Sequence, residues 1–548
     1  MKHTPHDTAK TRTDKDWWRG AVIYQIYPRS FQDSNDDGIG DLAGIIQRLP
    51  HIAHLGADAI WISPFFRSPM LDFGYDVSDY RDVDPRFGVL GDFDALIDRA
   101  HQLGLKVLID LVLSHTSEQQ PWFRESRSSR DNPKADWYVW ADAKPDGTAP
   151  NNWLSIFGGP AWEWSTERQQ YYMHNFLPSQ PDLNLHCPEV QEELLDVVRF
   201  WLERGVDGFR LDVVNLYFHD ADLRNNPVLP SDQRNEVLTP SVNPHNWQEH
   251  IYDKNRPDNI QFLQRMRAIL DEYDAITSIG EVADAQRGLE IQAQYTSGGN
   301  KLHMCYDFSF LSNTYPTGTH IADVLSTFEA AAQESWACWA FSNHDVERHA
   351  TRWNLPPAAI RTYAALLLSL RGSVCLYQGE ELGLGQAYIP FEDLQDPYGI
   401  RFWPEYHGRD GCRTPMPWIH DAPHGGFSNV KPWLPLAFDH MEKAVNRQVE
   451  DSSSTLAFYR NMLEYRTNRA SLRTGSLTIV ESTENVLTFI RNTDNETLFC
   501  AFSLSDEAQQ ITLPEGHWHA DEAAPVETPL LAPDCILPAW QALFALQK

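Results

Sequence analysis

Nowhere does the chain carry the unbroken apolar run of about 18 residues that a membrane-spanning helix requires, so no membrane partner is expected. Met1 to Asp16 is polar and charged, without the apolar stretch of a secretory signal, and reads as a disordered lead-in. The seven cysteines (Cys187, Cys305, Cys338, Cys375, Cys412, Cys500, Cys535) are odd in number and scattered, with no C-x-x-C or zinc-like spacing. That excludes a disulfide scaffold and points to reduced thiols and a cytoplasmic location. Basic residues are also scarce: 45 Lys and Arg against 76 Asp and Glu leave a net charge of −31. Such a surface repels phosphate backbones, so nucleic acid is excluded as a partner. No Gly-rich phosphate loop follows the first strand, and no internal repeat or low-complexity tract occurs.

What is abundant is apolar and aromatic. At 548 residues, with 42% hydrophobic and 12% aromatic content, the chain can bury a large core and fill more than one domain. Most of the 19 Trp and 20 Tyr belong in that core, but flat aromatic faces also stack on sugar rings.

Apolar strands alternate with amphipathic helices along most of the length. Strands are expected at 20–27, 59–63, 106–112, 206–213, 275–280, 302–306, 336–341 and 373–377. Helices fall at 41–55, 91–103, 188–203, 258–273, 321–332 and 358–370, with a closing helix over 441–467. Strands that are apolar throughout indicate a parallel sheet covered by helices. Eight of them, each followed by a helix or insertion, indicate an α/β fold of (β/α)8 TIM-barrel type. The barrel takes residues 17–115 and 188–470. A loop-rich subdomain, 116–187, is inserted after strand 3, and an irregular insertion occupies about 378–438. From 471 to 548 the pattern changes to hairpins such as 477–480, 486–490 and 498–502, a small C-terminal all-β domain.

In such a barrel, catalytic groups stand where strands end at the C-terminal face. On the fourth strand Arg210 and Asp212 share one face, because side chains repeat every second residue. Alone, this pair reads as a structural ion pair. Reading the other ends adds Asp110 and His115, then Glu281, then His344 and Asp345. Three carboxylates from three strands (Asp212, Glu281, Asp345), accompanied by two histidines and an arginine, suit either a divalent metal site or glycoside hydrolysis. A metal hydrolase calls for more histidine ligands than are present. The aromatic-rich insertion beside the mouth favours sugar.

Nine motifs then follow one another in order: Gly20-Ala-Val-Ile-Tyr-Gln-Ile-Tyr-Pro-Arg-Ser-Phe31, Gly74-Tyr-Asp-Val-Ser-Asp-Tyr80, Asp110-Leu-Val-Leu-Ser-His115, Gln180-Pro-Asp-Leu-Asn184, Gly208-Phe-Arg-Leu-Asp212, Gly280-Glu-Val282, Ser342-Asn-His-Asp345, Gln378-Gly-Glu-Glu-Leu-Gly383 and Arg413-Thr-Pro-Met-Pro-Trp418. With these the chain resembles the α-amylase family (glycoside hydrolase family 13), nearest its bacterial α-glucosidases and oligo-1,6-glucosidases. The resemblance implies a retaining, exo-acting α-glucosidase that releases glucose from the non-reducing end of short α-1,6- or α-1,4-linked glucosides, with possible transglucosylation. A sucrose-using transglucosylase or sucrose hydrolase on the same scaffold is the alternative. The implied roles are Asp212 as nucleophile, Glu281 as general acid and then base, and Asp345 as the group that helps distort the ring. Retention requires the first two carboxyls to lie about 5–5.5 Å apart. Arg210 is expected to keep Asp212 ionised by lowering its pKa by roughly 1–3 units.

By the same resemblance, His115 and His344 bond the terminal glucose, Asp76 and Arg413 close its far side, Tyr75 stacks on it, and Phe157 and Phe176 wall the pocket. Ser114 stands where the family usually carries Asn, so a lost or rearranged hydrogen bond, without loss of activity, is expected there. Val213, next to the nucleophile, tends in this subfamily to accompany α-1,6 cleavage. Finally, the loop Asp33–Asp41 spaces oxygens at alternate residues around a Gly turn, like the first half of an EF-hand, although Gly44 stands where the bidentate Glu belongs. Relatives imply one structural Ca²⁺ or Mg²⁺ held by Asp33, Asn35, Asp37, the Ile39 carbonyl and Asp41, and no organic cofactor. Small α-glucosides are the expected partners, and the sequence sets no oligomeric state.

Overall fold

The computed structural model describes residues 14–331, 334–527, 531 and 534–548. Residues 1–13 of the expected lead-in, and Ala332 at the end of one expected helix, lie outside the described residues.

Eight parallel strands form one sheet: β1 (Val22–Ile26), β2 (Ala59–Ile62), β3 (Lys106–Leu111), β4 (Gly208–Leu211), β5 (Thr277–Val282), β6 (Met304–Asp307), β7 (Cys338–Ala340) and β8 (Ser373–Tyr377). Their order, β6-β5-β4-β3-β2-β1-β8-β7, is closed by a parallel bridge from Cys305 to Ala337. The sheet is therefore a barrel. Both faces of each strand are covered, inside by the other strands and outside by helices, so every residue of β1, β3, β4, β5 and β8 is buried. That is why their sequences read as continuous apolar runs.

The covering helices start and stop where their ends can be satisfied. Leu42–Leu55 is capped by Asp41, whose side chain accepts the Gly44 N–H at 2.7 Å, and ends at Gly56 in the left-handed region, φ 98°. Pro188–Glu203 opens with proline at the first helical position. The expected closing helix over 441–467 is corrected to three pieces: Phe438–Glu442, Val445–Glu450 and Thr455–Thr467. Asp451 breaks it by accepting the Ser453 N–H (2.8 Å) and hydroxyl (2.7 Å), and Ser454 then caps the last piece through the Ala457 N–H.

Three segments overhang the C-terminal mouth. After β3, residues 116–187 carry a short antiparallel sheet (Trp140–Ala141, Gln170–Met173, Trp162–Ser165) with its own core around Trp153, Trp162 and Met173. After β4 an irregular arm, 217–257, holds only short 3₁₀ turns; sequence reasoning did not single it out. After β8, residues 378–438 return across the mouth. From Ser476 the chain forms antiparallel strands β9 (Ser476–Ser482), β10 (Val486–Asn492) and β11 (Thr497–Ser503) within a five-stranded sheet.

Candidate active site

Arg210, inside β4, is fully buried, and its guanidinium is divided among several acceptors. Nη1 donates to Asp110 at 2.9 Å and to Asp212 at 2.7 Å. Nη2 lies 2.7 Å from Glu281 and donates to the Tyr306 hydroxyl at 2.7 Å. Asp110, on β3, is also held by the Tyr75 hydroxyl (3.0 Å) and the Trp61 indole (3.2 Å). A buried cation thus ties the ends of β3, β4 and β5 into one electrostatic unit.

Arg210 does lower the Asp212 pKa, as expected, but burial outweighs it and the net shift is upward. Burial pushes Asp212 up to about 7, Arg210 opposes, and the charges of Asp110 and Asp345 add to the rise. Burial likewise raises Glu281 to about 7, with Asp212 and Asp345 contributing against Arg210. Asp110 rises to about 6, again chiefly through burial. Two like charges facing one shared cation titrate as a coupled pair, so near neutrality the pair holds about one proton. Both carboxyls meet donors: Asp212 accepts from Arg210 Nη1, and Glu281 lies beside Arg210 Nη2 and accepts from the Val213 N–H and the Tyr306 hydroxyl.

Between them is Val213, in the left-handed region with φ 35° and ψ 51°. For a β-branched residue that geometry costs about 1–3 kcal/mol. It turns the Val213 N–H onto Glu281 Oε2 (3.1 Å), while the Tyr306 hydroxyl donates to Oε1 (3.1 Å). Glu281 is therefore oriented by two donors from neighbouring strand ends.

Asp345, beyond β7, has the opposite environment. Burial alone would raise it, but the guanidiniums of Arg409 at 3.1 Å and Arg413 at 3.0 Å hold it well below the usual carboxylate range, with the His344 imidazole 3.2 Å away. His344 is kept neutral by burial, accepts the Gln25 amide N–H at Nδ1 (2.7 Å), and stacks on Tyr75 at 5.2 Å, 5° from parallel. Tyr75 is thereby fixed as one wall of the cavity.

That cavity, about 110 Å³, opens at the strand ends. It is lined by Asp212, Glu281 and Asp345, by Tyr75, His115 and Val213, and by Phe157 and Phe176 from the first overhanging segment. His115 sits between the Tyr75 carbonyl (3.0 Å) and the Ser114 hydroxyl (2.9 Å), so the serine keeps a contact to the ring in rearranged form. Phe157 packs edge-on to Phe176 and stacks on Tyr398 at 4.7 Å.

Two expected contacts are corrected. Asp76 is fully buried behind the wall, where its carboxylate accepts from the Ser68 hydroxyl (2.8 Å) and the Leu71 N–H (2.8 Å). Asp72 lines the cavity in its place, 2.9 Å from Arg409. The reason is the turn that carries them: Met70 before Asp72, and Phe73 and Gly74 between the two, all have positive φ, which aims Asp72 inward and Asp76 back at the loop. Arg413 is off the cavity surface and acts through Asp345, whereas Arg409 reaches the cavity and bonds Asp72, Asp345 and Asp396. Sequence reasoning missed Asp72, Arg409, Tyr398 and Tyr406, and also Val237 and Leu238 from the 217–257 arm. Asp72 and Arg409 sit two and four residues before motif residues Gly74 and Arg413, the only signal available for them.

The Asp33–Asp41 loop lies away from this cavity. Its donor set is all oxygen, the type that hard cations such as Ca²⁺ and Mg²⁺ prefer. Each carboxylate is turned onto loop donors: Asp33 onto the Asn35, Asp36 and Gly38 amides, Asp37 onto Ile39, Asp41 onto Ser34 and Gly44. Among the described residues, no three His, Cys, Asp or Glu side chains converge as a metal cage.

The chain is similar to known proteins over nearly its whole length. Residues 25–475 match the model of the alpha-amylase catalytic domain. A probable alpha-glucosidase of Rhizobium meliloti (strain 1021) is 61% identical over 97% of each chain. An oligo-1,6-glucosidase of Heyndrickxia coagulans is 34% identical, covering 92% of this chain and 95% of its own. Among solved structures, the alpha-glucosyl transfer enzyme XgtA superposes with a TM-score of 0.95 at 53% identity, covering 97% of this chain and 99% of its own.

Proposed function

The chain belongs to the alpha-amylase family of glycoside hydrolases (glycoside hydrolase family 13), and from that premise we propose that it is a retaining, exo-acting α-glucosidase. The observation that carries this reading is the cavity itself. Three carboxylates at the ends of β4, β5 and β7 meet in a space of about 110 Å³ that the Asp72–Arg409–Asp345 ion cluster also lines. On this reading the cluster lies behind the terminal glucose, which favours a chain end over the middle of a polymer.

The terminal glucose stacks on Tyr75, and its hydroxyls meet Asp72, Arg409, His115 and Asp345. Asp212 attacks the anomeric carbon while Glu281, protonated, passes its proton to the departing oxygen. Glu281 then accepts a proton from water, which displaces Asp212. Likeness to an alpha-glucosyl transfer enzyme supports a second fate, in which a hydroxyl acceptor replaces water. Val213 against the acid leans the preference toward α-1,6 linkages.

The loop Asp33–Asp41 takes one structural Ca²⁺ or Mg²⁺ through Asp33, Asn35, Asp37, the Ile39 carbonyl and Asp41. Among the described residues no helix is long and apolar enough to cross a membrane. Cys187, Cys305, Cys338, Cys375, Cys412 and Cys500 are free thiols, which suits the reducing cytoplasm. Glucose release from a panel of maltose, isomaltose, nigerose, kojibiose, trehalose and sucrose tests the function. Release from isomaltose and maltose is expected; release from none of the six would refute it.

A further inference from the structure

At the opposite, N-terminal end of the barrel a second cavity, of about 480 Å³, opens beside the starts of β1, β5, β6, β7 and β8. Its lining reverses the character of the chain. The whole sequence carries a net charge of −31, yet here four cations (Lys15, Arg19, Arg267, Arg371) face three carboxylates (Asp16, Asp271, Glu334). Two of those carboxylates are spent on guanidinium Nε atoms: Asp16 lies 3.2 Å from Arg19 and Asp271 2.7 Å from Arg267. Glu334 is exposed.

The guanidiniums are fixed in place by the protein itself. Arg19 lies over Trp18 (4.4 Å) and Trp336 (5.1 Å), and Arg371 lies over the same Trp336 ring (4.9 Å). Arg371 Nη1 is held by Glu329 at 2.7 Å, and Arg267 Nη1 donates to the Lys301 carbonyl at 3.1 Å. Among the described residues, Arg19 Nη1 and Nη2, Arg267 Nη2 and Arg371 Nη2 have no hydrogen-bond acceptor. Like charges gathered in this way repel one another, and an anion between them removes that cost.

His303 adds a donor of another kind. It is only 7% exposed, lines the cavity, and packs edge-on against Trp18 at 5.2 Å. Burial keeps its ring neutral, and the charges of Arg267 and Arg19 both reach it. The Ser278 hydroxyl accepts the His303 backbone N–H (3.2 Å) and stands 3.0 Å from Nδ1, placed to give that nitrogen its proton. Nε2 is then an N–H donor, without a partner among the described residues. Guanidinium forks and a neutral imidazole N–H together match the oxygens of a tetrahedral oxyanion.

Independently of the catalytic reading, we propose that this cavity binds a phosphoryl group, free as phosphate or carried by a small phosphorylated sugar, and that binding stabilises the barrel from the end remote from the carboxylates. The phosphoryl oxygens accept from His303 Nε2 and from the free Nη groups of Arg19 and Arg267, with Arg371 and Lys15 adding to the field. The volume leaves room for a sugar body beside the anion.

Titration calorimetry and thermal melts of the full chain test this, with inorganic phosphate and with glucose 6-phosphate as probes. Saturating glucose in every sample keeps the catalytic cavity filled, and potassium chloride at equal ionic strength is the control. Phosphate should bind with a Kd of about 1 mM or tighter and raise Tm by about 2 °C or more near saturation, and chloride should do neither. Arg19→Gln and Arg267→Gln should each weaken binding at least about tenfold, the size of one lost charge-assisted bond. His303→Leu should weaken it too, while His303→Gln, whose amide keeps a donor near Nε2, should hold it. Tighter binding of glucose 6-phosphate than of phosphate assigns the site to the phosphorylated sugar, equal or weaker binding to free phosphate, and either upholds the proposal. No binding of either probe up to about 10 mM, equal stabilisation by chloride, or unchanged affinity in the folded glutamine variants of Arg19 and Arg267 overturns it.

Discussion

Replacing Arg210 with glutamine removes the buried cation that Asp110, Asp212 and Glu281 share at 2.9, 2.7 and 2.7 Å. Two effects follow, and both can be sized. Breaking a buried ion cluster from one side costs about 3–5 kcal/mol when the remaining charges stay ionised. The carboxyls take up protons in response. An adjacent cation lowers a carboxyl pKa by roughly 1–3 units, so losing it moves Asp212 and Glu281 upward from about 7 by about that amount. At pH 6 a two-unit rise leaves about a hundredfold less ionised nucleophile, and kcat/KM falls in proportion. The pH profile of kcat/KM on p-nitrophenyl α-glucoside should therefore move bodily to the alkaline side. The stability effect has a definite sign. Groups whose folded pKa is raised contribute stability that is complete below their unfolded values and lost as pH climbs through the folded ones, here about 6 to 7. Melting of the variant should consequently lie close to wild type near pH 4 and fall increasingly below it at pH 8. A profile unmoved within about half a unit, or a melting deficit greatest in acid, would refute the shared-cation account.

Other expectations concern single positions. Asp212→Asn and Glu281→Gln should each lower turnover by several orders of magnitude, while removal of a crowded buried charge leaves melting at pH 8 equal to or above wild type; near-normal turnover by either would contradict the assignment. Asp72→Asn should cut kcat/KM at least about tenfold, whereas Asp76→Asn should cost about 1–3 kcal/mol of stability and leave the ranking of substrates unchanged. Steady-state kinetics beside thermal melts separates the two. Val213→Thr places a hydroxyl beside Glu281 and should shift the isomaltose-to-maltose ratio toward maltose by roughly tenfold. Chelation with EDTA should lower the melting temperature and Ca²⁺ or Mg²⁺ should restore it, with Asp37→Ala insensitive to both.

The barrel was legible because its strands are covered on both faces and so are apolar without interruption, and because a strand end in such a barrel is a predictable place for a carboxylate. What sequence could not supply was direction. Asp72 and Asp76 stand four residues apart, and which one faces the cavity depends on positive φ at Met70, Phe73 and Gly74, of which only the glycine announces itself. Arg210 and Asp212 read as a pair, but burial, with Asp110 and Asp345 adding to it, changed the sign of the expected shift on Asp212. The 217–257 arm has no periodicity to reveal it, yet it roofs half the site through Val237 and Leu238. The closing helix was over-extended because apolar spacing continues across Asp451–Ser454, where local side-chain bonds to the backbone interrupt it.

The central claim is that Asp212 becomes covalently glucosylated while Glu281 manages the proton. It is tested most directly by trapping the intermediate with a slow fluorinated α-glucosyl donor and mapping the modified peptide by mass spectrometry. The account predicts one glucosyl group, carried by the Gly208–Asp212 segment on Asp212 and absent from Asp212→Asn. A label on Glu281 or Asp345, or turnover of the donor with no covalent adduct at any stage, would contradict it.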